Sequence, residues 1–495
     1  MKKKILLLSD DLRMHSGIAT MSRELVMGSL KHYDWVQLAG AKQHPDKGKI
    51  FDLSKAGEEE RGIKDAYCKL YCVDGYGNPE TLKQVINIEK PDAILHFTDP
   101  RFWTWLYNME REIRQDIPLC YLNIWDNLPA PMWNRPYYKS CDALFSISKQ
   151  TLNINKQVLG DDDWVMAKDI SSPKDVIGKS VLHYVPHGID TDTFYPITTE
   201  DELKSLETFK KQIFKGKSYD YVLFYNNRNI QRKRLSDIVL AYRTFCDNLA
   251  KDEAKKCCLL LHTAPVDQAG TDMNAVIEAL CPDYNIVFSD KKVSPSQMNL
   301  LYNMSDVVVN IASNEGFGLS HAEGLVTGRC LINNVTGGLQ DGCGFRDEDG
   351  KLVEFTKEWG SNHDGRYRDC GKWVKPVFPA TRMIQGSVPT PYIFDDHAKW
   401  EDVAEAMMAW YLTPKEDRQK YGEEGRQFAL GEGGLNSNNM CDQFIVGMDA
   451  TLNNFTPRAR FSFHTVDEYK GNTFFDGHGG FEIPKIDKEK IKKEL

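Results

Sequence analysis

The sequence has no apolar stretch that approaches the roughly 20 residues needed to cross a bilayer, although it is 495 residues long. Three N-terminal lysines followed by the apolar run 5–8 look like the start of a signal peptide. That run is too short, and it ends at Ser9-Asp10-Asp11. We therefore expect a buried first strand here, no membrane association and a cytoplasmic protein.

Paired cysteine motifs are also missing, because the twelve cysteines are scattered and none forms a CxxC pattern. Several lie in or beside apolar runs, where a free cysteine behaves as a small hydrophobic residue. These are Cys120, Cys246, Cys258 and Cys330. We expect free thiols in a reducing compartment, with a zinc site or a disulfide scaffold as the disfavoured alternatives.

An excess of positive charge is absent as well. The chain carries 62 basic and 71 acidic residues, a formal net charge of −9, which argues against a protein that coats nucleic acid by bulk charge. One local basic groove is still compatible with this balance. Internal repeats and low-complexity tracts are missing too, while 41% hydrophobic and 27% charged residues are ordinary globular values.

What the sequence does contain is two series of short apolar runs separated by segments with helical spacing. The first series comprises 5–8, 93–97, 119–124, 143–147 and 183–185, with helices predicted at 18–30 and 79–88. The second comprises 221–225, 258–262, 286–288, 307–311 and 330–333, with helices at 235–249, 295–304 and 320–327. Apolar strands that alternate with helices indicate parallel sheets covered on both faces. The predicted fold class is α/β, with two doubly wound, Rossmann-like domains.

The joint between the two series lies around residues 191–217, where a polar, charged segment begins. We assign residues 1–192 to an N-terminal domain and 193–440 to a C-terminal domain. We expect 441–495 to form a helix and a tail that pack back on the N-terminal domain. The insertions 160–179 and 338–391 look loop-like, and long loops are often functional or mobile. Because ligands bind beyond the carboxyl ends of parallel strands, two facing sheets would form a deep cleft.

The stretch richest in potential chemistry follows the predicted strand 307–311 and opens a helix. Its glycines let the backbone approach a ligand closely, and the helix N-terminus offers free N–H groups to a phosphate. Glu315 and Glu323 are eight residues apart in this stretch. Since carboxylates would repel a phosphate, sugar and ribose hydroxyls are their favoured partners. The alternative is a helix cap followed by a surface glutamate.

A basic loop follows the predicted strand 221–225. Its cations are Arg228, Arg232, Lys233 and Arg234. At the end of a strand, such a loop suits a pyrophosphate that gains charge as it leaves, although a solvated basic loop would have the same composition. Gly17, after the first strand, either receives a phosphate through backbone N–H groups or forms a plain turn.

The arrangement resembles the E-x7-E signature of retaining GT-B glycosyltransferases, in particular glycosyltransferase family 4, with Glu315 and Glu323 as the two glutamates. Further segments resemble this family in the same order. They are the linker 185–194 (with His187 where asparagine is usual), the Arg-x4-Lys pair Arg228 and Lys233, the run 301–313 and the glycine pair 337–338. The resemblance covers residues 4–450, and its joint order is far more specific than any single motif.

This resemblance implies a GT-B enzyme that transfers sugar from a nucleotide-diphosphate sugar with retention of configuration. UDP-sugars are the favoured donors, and no metal or other cofactor is implied. Arg228 and Lys233 would neutralise the leaving diphosphate, which Gly17 would meet from the N-terminal domain. Arg228 and Lys233 are therefore predicted catalytic residues, and Gly17 is a predicted donor-binding residue.

The resemblance also implies how the rest of the donor is held. Glu323 would bind the ribose. Glu315, which is also a predicted catalytic residue, would bind the donor sugar together with the backbone of Phe317, Gly318 and Leu319. The nucleobase would contact backbone groups near residues 288–293.

The chain departs from the family at Asn123-Ile124-Trp125-Asp126, where tryptophan replaces the usual histidine of a histidine–aspartate pair. Asp126 is a catalytic candidate that either touches the acceptor or caps a turn. His96, beside a strand, either faces the cleft or packs in the core. Residues 190–192 spell the DxD metal motif of the other glycosyltransferase fold, but their place in the linker favours a turn, and we expect no metal site.

The acceptor is the least defined part of the prediction. A basic amphipathic helix, typical of membrane-associated relatives, is missing, which disfavours a lipid acceptor. Aromatic residues beside prolines in 123–134 either stack on a sugar or flipped base, or form a rigid packed loop. The N-terminal half resembles bacteriophage-encoded, T-even-like members, which glycosylate hydroxymethylated cytosines. Double-stranded DNA with such bases is therefore a candidate partner. Its predicted contacts are Arg101, Arg111, Arg114, Arg135 and Lys139.

Other functions stay open beside this one. The enzyme could act on a glycan or a small molecule, or the chain could be a non-catalytic sugar-nucleotide-binding module. Another GT-B enzyme, such as an epimerase, is disfavoured because Arg228 and Lys233 accompany the E-x7-E pattern. No motif indicates the oligomeric state.

Overall fold

In the computed structural model, which describes residues 2–289 and 291–458, the strands form two parallel sheets and one hairpin. The N-terminal domain contains the strands β1 (Lys3–Asp10), β2 (Tyr33–Ala41), β3 (Ile50–Asp52), β4 (Cys68–Asp74), β5 (Ala93–His96), β6 (Leu119–Asn123), β7 (Ala143–Ser146), β8 (Trp164–Met166) and β9 (Ser180–Tyr184). Its helices are α1 (Gly17–Ser29), α2 (Ser54–Arg61), α3 (Pro79–Glu89), α4 (Thr104–Asn108), α5 (Glu110–Ile113), α6 (Arg135–Lys139) and α7 (Lys149–Leu159).

The C-terminal domain contains the strands β10 (Tyr221–Asn226), β11 (Cys257–His262), β12 (Ile286–Phe288), β13 (Val307–Asn310), β14 (Cys330–Asn334) and β15 (Val374–Val377), and the hairpin β16 (Thr381–Ser387) and β17 (Thr390–His397). Its helices are α8 (Glu200–Ile213), α9 (Leu235–Asp247), α10 (Lys251–Ala254), α11 (Met273–Leu280), α12 (Pro295–Asn303), α13 (Leu319–Val326), α14 (Trp400–Leu412) and α15 (Lys415–Leu430). The helix α16 (Ser437–Asn454) follows.

The first sheet has the order β3-β4-β2-β1-β5-β6-β7-β9-β8, and within it only the short β3 runs antiparallel to its neighbour. β1 forms at its centre because its run of Ile and Leu is buried on both faces. Ile5, for example, lies opposite Trp35 on one side and Ala93 on the other. Each such side chain contributes about 1.5–3 kcal/mol on full burial.

The second sheet has the order β12-β11-β10-β13-β14-β15, with parallel pairing throughout. β10 and β13 lie side by side at its centre, so the loops that follow them emerge at the same edge. The predicted α/β architecture of two doubly wound domains is confirmed.

Two of the predicted loops contain strands, which corrects the sequence analysis. The insertion 160–179 contains β8, which pairs with β9, and the insertion 338–391 contains β15 and most of the hairpin. β2 and β4 were also not predicted from their sequences. Polar residues interrupt the apolar pattern of β2, yet Gln37 is 2% exposed because its amide donates to the carbonyl of Asp10.

Helix α16 crosses back to the N-terminal domain. The hydroxyl of Tyr33 donates to Asp449 at 2.6 Å, and the ring of Phe444 stacks on Trp35 at 5.8 Å between centroids. The two chain crossings between the domains run side by side, since Ile189 and Asn436 form a parallel bridge. The tail predicted beyond this helix lies, from residue 459 onward, outside the described residues.

All twelve cysteines are free thiols, and all but Cys370 are buried, as the sequence predicted for free cysteines. None of the helices in the described ranges is long and apolar enough to cross a bilayer.

Candidate active site

The loop that follows β13 leads into α13 and is held in an unusually tight arrangement by glycines. Gly318 has φ of +88°, and a Cβ there would lie 2.6 Å from the side chain of Leu339. A Cβ on Gly338 would lie 2.2 Å from the carbonyl oxygen of Gly316. The loop 313–319, called the donor loop below, is thus pressed against the glycine pair 337–338, an approach that only glycine permits.

Four charged side chains interact at this loop, one of them the loop's own Glu315: Asp126, Arg232, Lys233 and Glu315. We call them the charge cluster. The ammonium of Lys233 contacts the carboxylate of Glu315 directly, and it also donates to Asn227 Oδ1 at 2.7 Å. The guanidinium of Arg232 donates to Asn314 O at 2.7 Å and to Glu315 Oε2 at 3.3 Å. The side chains of Lys233 and Glu315 are only 7% and 11% exposed.

Burial and mutual charge shift the pKa values in this cluster. Burial raises the pKa of Glu315, but the neighbouring Lys233 and Arg232 cations outweigh that effect and leave it below its usual value. Burial lowers the pKa of Lys233, and the charge of Glu315 only partly offsets this. The pKa of Asp126 is raised by burial, against the attraction of Arg232. Charged groups held out of water in this way are typical of functional sites.

Glu323 lies in the second turn of α13, beside the end of β10. Its carboxylate contacts the Tyr302 hydroxyl and accepts from Asn226 Nδ2 at 3.3 Å. Burial raises the pKa of Glu323 to about 7, although both hydrogen bonds act in the opposite direction. The two glutamates of the E-x7-E pattern therefore differ in environment: Glu315 is ion-paired, and Glu323 is hydrogen-bonded by neutral groups.

Arg228 does not join the charge cluster in this structure. Its side chain is 68% exposed and pairs with Asp267 at 2.7 Å. Arg232 occupies the position beside Glu315 instead, because the short 3-10 turn Gln231–Lys233 brings both of its basic residues under the donor loop. Sequence reasoning noted Arg232 only as one of several cations. Its adjacency to Lys233 was the available signal.

The N-terminal domain reaches the donor loop from the other side. A Cβ on Gly17 would lie 3.5 Å from Leu319 Cδ1. A Cβ on Gly316 would lie 3.0 Å from the carbonyl oxygen of Ile124 and 3.9 Å from Asp126 Cβ. The turn after β1, the segment after β6 and the donor loop are therefore in contact. The structure thus brings Gly17 and Asp126 to the predicted donor-binding residues.

The side chain of Phe317 fixes the middle of the donor loop. It is 2% exposed and lies between two histidine rings, His187 at 5.3 Å and His321 at 5.5 Å between centroids. Burial lowers the pKa of His187 to about 3, so this ring is neutral. The side chain points into the protein, which leaves the backbone of 317–319 as the part of the loop available to a ligand.

His96 packs in the core of the N-terminal domain and is not a cleft residue. It is fully buried, and its ring nitrogens hydrogen-bond the hydroxyls of Tyr107 and Thr98 at 3.0 Å. Residues 190–192 form a turn in which Asp190 accepts hydrogen bonds from the Asp192 N–H and the Thr193 hydroxyl. His96 is therefore a packed core residue, and residues 190–192 form a linker turn.

Among the described residues, Asp11, His44 and Cys72 have the composition of a metal site. The geometry favours a hydrogen-bond network. Arg13 pairs with Asp11 at 2.6 Å and reaches Cys72 Sγ at 3.2 Å, so a cation already occupies the group. His44 Nδ1 accepts from the Asp46 N–H, which leaves the proton on Nε2 toward Asp11 and no lone pair for a metal.

The cations predicted to form a DNA-binding face are mostly paired with acids. Arg101 pairs with Asp99, Arg114 with Asp142 at 2.8 Å, and Lys139 with Asp163 at 2.7 Å. Arg135 also contacts Asp163, at 3.6 Å. Arg111, Arg114 and Lys139 line a cavity of about 450 Å³ at the amino-terminal edge of the first sheet, opposite the donor loop. The structure therefore does not bring the five cations together at the cleft.

No protein-family model and no curated protein matches the sequence. Solved structures do match over most of the chain. Anabaena HepE, solved in complex with UDP and glucose, is 11% identical with a TM-score of 0.57, covering 90% of this chain and 100% of its own. Sucrose-phosphate synthase from Thermosynechococcus elongatus is 15% identical with a TM-score of 0.55, covering 90% and 97%.

An E. coli structure described as trehalose-6-phosphate bound with UDP-2-fluoro glucose is 11% identical with a TM-score of 0.58, covering 91% of this chain and 99% of its own. These likenesses establish the fold. The chain has the GT-B architecture of two Rossmann-like domains that face each other across a cleft.

Proposed function

We propose that this GT-B chain is a retaining glycosyltransferase that moves a sugar from a nucleotide-diphosphate sugar, with UDP-sugars favoured, to a hydroxyl acceptor. The observation that carries the proposal is the charge cluster, in which Lys233 and Arg232 are held against Glu315 at the amino-terminal end of α13. The UDP or UDP-sugar analogue bound to HepE and to the E. coli neighbour supports the choice of donor.

The cluster suits a diphosphate that departs with extra negative charge. The bond between the anomeric carbon and the β-phosphate oxygen breaks, and the acceptor oxygen bonds to that carbon from the same face. The acceptor proton passes to the departing phosphate. Lys233 and Arg232 stabilise the developing charge, and the N-terminus of α13 adds its positive dipole end. In this scheme Arg228 contributes only after its pair with Asp267 opens.

The remaining donor contacts follow from the environment of each group. Glu323, with a pKa raised to about 7, exchanges its bonds to Tyr302 and Asn226 for ribose hydroxyls. Glu315 and the backbone of 317–319 hold the donor sugar, and Gly17 gives the diphosphate access from the N-terminal domain. The scheme needs no metal, because two side-chain cations stand where the diphosphate leaves.

The acceptor proposal has two forms. In the more specific form, the acceptor is a hydroxymethylated cytosine in double-stranded DNA, and the chain is a bacteriophage-type enzyme that acts in the host cytoplasm. The ion pairs of Arg101, Arg114, Arg135 and Lys139 argue against a ready phosphate-binding face. They favour the other form, a glycan or small hydroxyl compound that needs no extended basic surface.

The donor proposal is tested by a screen of UDP-, GDP- and ADP-sugars for binding and for release of the nucleoside diphosphate, with EDTA present. We expect UDP-sugars to be cleaved and the product to keep the anomeric configuration of the donor, as read by NMR. Binding without cleavage or transfer would indicate a non-catalytic module. An inverted product would contradict the mechanism.

The acceptor proposal is tested with labelled UDP-glucose and three acceptors. These are a hydroxymethylcytosine duplex, the same duplex with plain cytosine, and a panel of free sugars and sugar phosphates. Label on the first duplex alone establishes the DNA form. Label on the panel alone establishes the small-acceptor form.

A further inference from the structure

The hairpin β16–β17 leaves the C-terminal domain between β15 and α14 and extends across the domain boundary. It lies in and just after the insertion that the sequence shows as loop-like. The exposed turn at its tip includes Val388, which is 100% exposed. β17, which follows this turn, is bonded to both domains, and Arg101 of the N-terminal domain also donates to Pro389 O and, at 2.7 Å, to Thr390 Oγ1.

The base of the hairpin holds the donor loop. The carboxylate of Asp395, which is 6% exposed, accepts from Ser313 Oγ at 2.8 Å and from Asn314 Nδ2 at 2.7 Å. The next residue, Asp396, accepts from Thr336 Oγ1 at 2.8 Å. Ser313 and Asn314 directly precede Glu315, and Thr336 directly precedes the glycine pair, so the base fixes both loops of the donor site.

The same strand holds the acceptor-side segment 126–130 of the N-terminal domain. The N–H of Phe394 donates to Leu128 O at 2.8 Å, and Asn127 Nδ2 donates to Phe394 O at 2.6 Å. The hydroxyl of Tyr392 donates to Ala130 O at 3.2 Å, and its ring meets Trp133 edge-on at 4.4 Å. This segment begins with Asp126, a member of the charge cluster.

We propose that this hairpin is a positioning element that sets the acceptor-side segment against the donor loop. Adjacent residues of one strand do the two tasks, because the backbone of Phe394 bonds the N-terminal domain while the side chain of Asp395 bonds the donor loop. A displacement on one side therefore reaches the other through a few rigid bonds. The inference rests on the proposed function only because that function identifies the loop 313–319 with the donor and the segment 126–130 with the acceptor.

Transfer depends on this alignment more than donor hydrolysis does. Transfer requires the acceptor oxygen about 3–3.5 Å from the anomeric carbon, and an error of about 1 Å can cost about 100-fold. Water needs no such placement by the N-terminal domain. Loosening the hairpin should thus lower transfer while leaving hydrolysis of the donor largely intact.

The first test uses hydrogen exchange with UDP as the probe. In the wild type, UDP should slow exchange in peptides covering 313–319 and, through the hairpin, in those covering 127–133, which do not include the residues that touch the donor loop directly. In the double variant Asn127→Ala, Tyr392→Phe, which leaves the backbone bond of Phe394 to Leu128, the protection of 313–319 should persist and that of 127–133 should fall. Val388→Thr, at the exposed tip, is the matched control and should behave as the wild type.

Two outcomes overturn the inference. One is that UDP protects both segments in the double variant as fully as in the wild type. The other is that it protects only 313–319 in the wild type. If UDP protects neither segment in the wild type, the proposed function itself fails, so the two failures are distinguishable.

The second test measures UDP-glucose hydrolysis and transfer to the acceptor that the screen identifies. We expect the double variant to lose about 10- to 100-fold in transfer, with hydrolysis within about twofold of the wild type. A parallel loss of both activities would show a general destabilisation and would contradict the positioning role. Thermal unfolding of each variant checks that the fold is intact.

Discussion

The proposed donor side and the proposed acceptor side of this molecule are built in different ways. The donor side comes from two short segments, the turn after β10 and the donor loop after β13, whose strands are neighbours in the sheet. The acceptor side is assembled from parts far apart in sequence, with residues 127–133 in contact with 392–394 of the hairpin. Motifs in loops at strand ends can be recognised in a sequence, whereas the contacts between an insertion and a distant segment cannot.

The two sides also differ in how charge is compensated. On the donor side, the ion pair of Lys233 and Glu315 is nearly buried, although Arg232 beside it is 36% exposed. Removing one member of that pair leaves the other uncompensated in a poorly solvated place. On the acceptor side, most of the cations pair singly with one or two nearby acids, several of them at the surface. Substitutions should therefore cost much on the first side and little on the second.

Lys233→Ala should give the largest effect, a loss of about 100- to 1,000-fold in donor turnover, because it removes a cation aimed at the leaving diphosphate. Release of UDP from UDP-glucose measures this. Lys255→Ala is the matched control, since that lysine is 75% exposed and pairs with Asp252 nearby in sequence. Near-normal turnover in Lys233→Ala would refute the assignment of the donor site.

Arg232→Ala should cost about 10- to 100-fold in donor turnover, because its guanidinium holds both Asn314 O and Glu315.

Arg228→Ala distinguishes the structure from the family resemblance. If Arg228 keeps its pair with Asp267 during the reaction, its loss should change turnover by less than Arg232→Ala does. The opposite order would mean that Arg228 moves to the diphosphate when the donor binds.

Glu323→Gln should raise the melting temperature, and more so at pH 8 than at pH 5. The folded-state pKa of Glu323, about 7, lies above its ordinary value of 4.5. Stability is therefore lost as pH rises from about 4.5 to 7 and the unfolded chain releases the proton first. Glutamine removes that penalty, so its advantage over the wild type should grow with pH. An advantage independent of pH would contradict the raised pKa.

The sequence was sufficient for the architecture, and it singled out Lys233 and Glu315, which the structure brings together; their donor-site roles stay a prediction. β1, β10 and β13 contain continuous apolar runs, and glutamates and glycines at fixed spacing mark the loop after β13 and the first turns of α13. It was not sufficient for β2, where buried Gln37 interrupts the pattern, because its hydrogen bond to Asp10 is a tertiary contact. For the same reason, the partners of Arg228 and Arg232 could not be ranked, since a 3-10 turn decides which cation faces inward.

The hairpin β16–β17 shows most clearly which structure could not be predicted from the sequence. Thr381–Ser387 is largely exposed, so its sequence lacks the alternating apolar pattern of a half-buried strand. Its partner strand carries Asp395 and Asp396, whose buried carboxylates are bonded by residues remote in sequence, among them Ser313, Asn314 and Thr336. Acidic residues in a stretch rich in glycine and proline indicate a loop when those remote partners are unknown.

The smallest expected effect is on the acceptor side, in the double variant Arg135→Gln, Lys139→Gln. Cations that neutralise DNA phosphates each contribute about 0.9 to the slope of log K against log salt concentration. Because Arg135 and Lys139 both pair with Asp163, we expect the slope for a labelled hydroxymethylcytosine duplex to change by less than about 0.5. Stability should change by only about 0–1 kcal/mol, as is usual for surface ion pairs. Fluorescence anisotropy across a salt series measures the slope. A decrease approaching two would mean that DNA displaces Asp163, and it would restore the extended phosphate-binding face that these ion pairs now argue against.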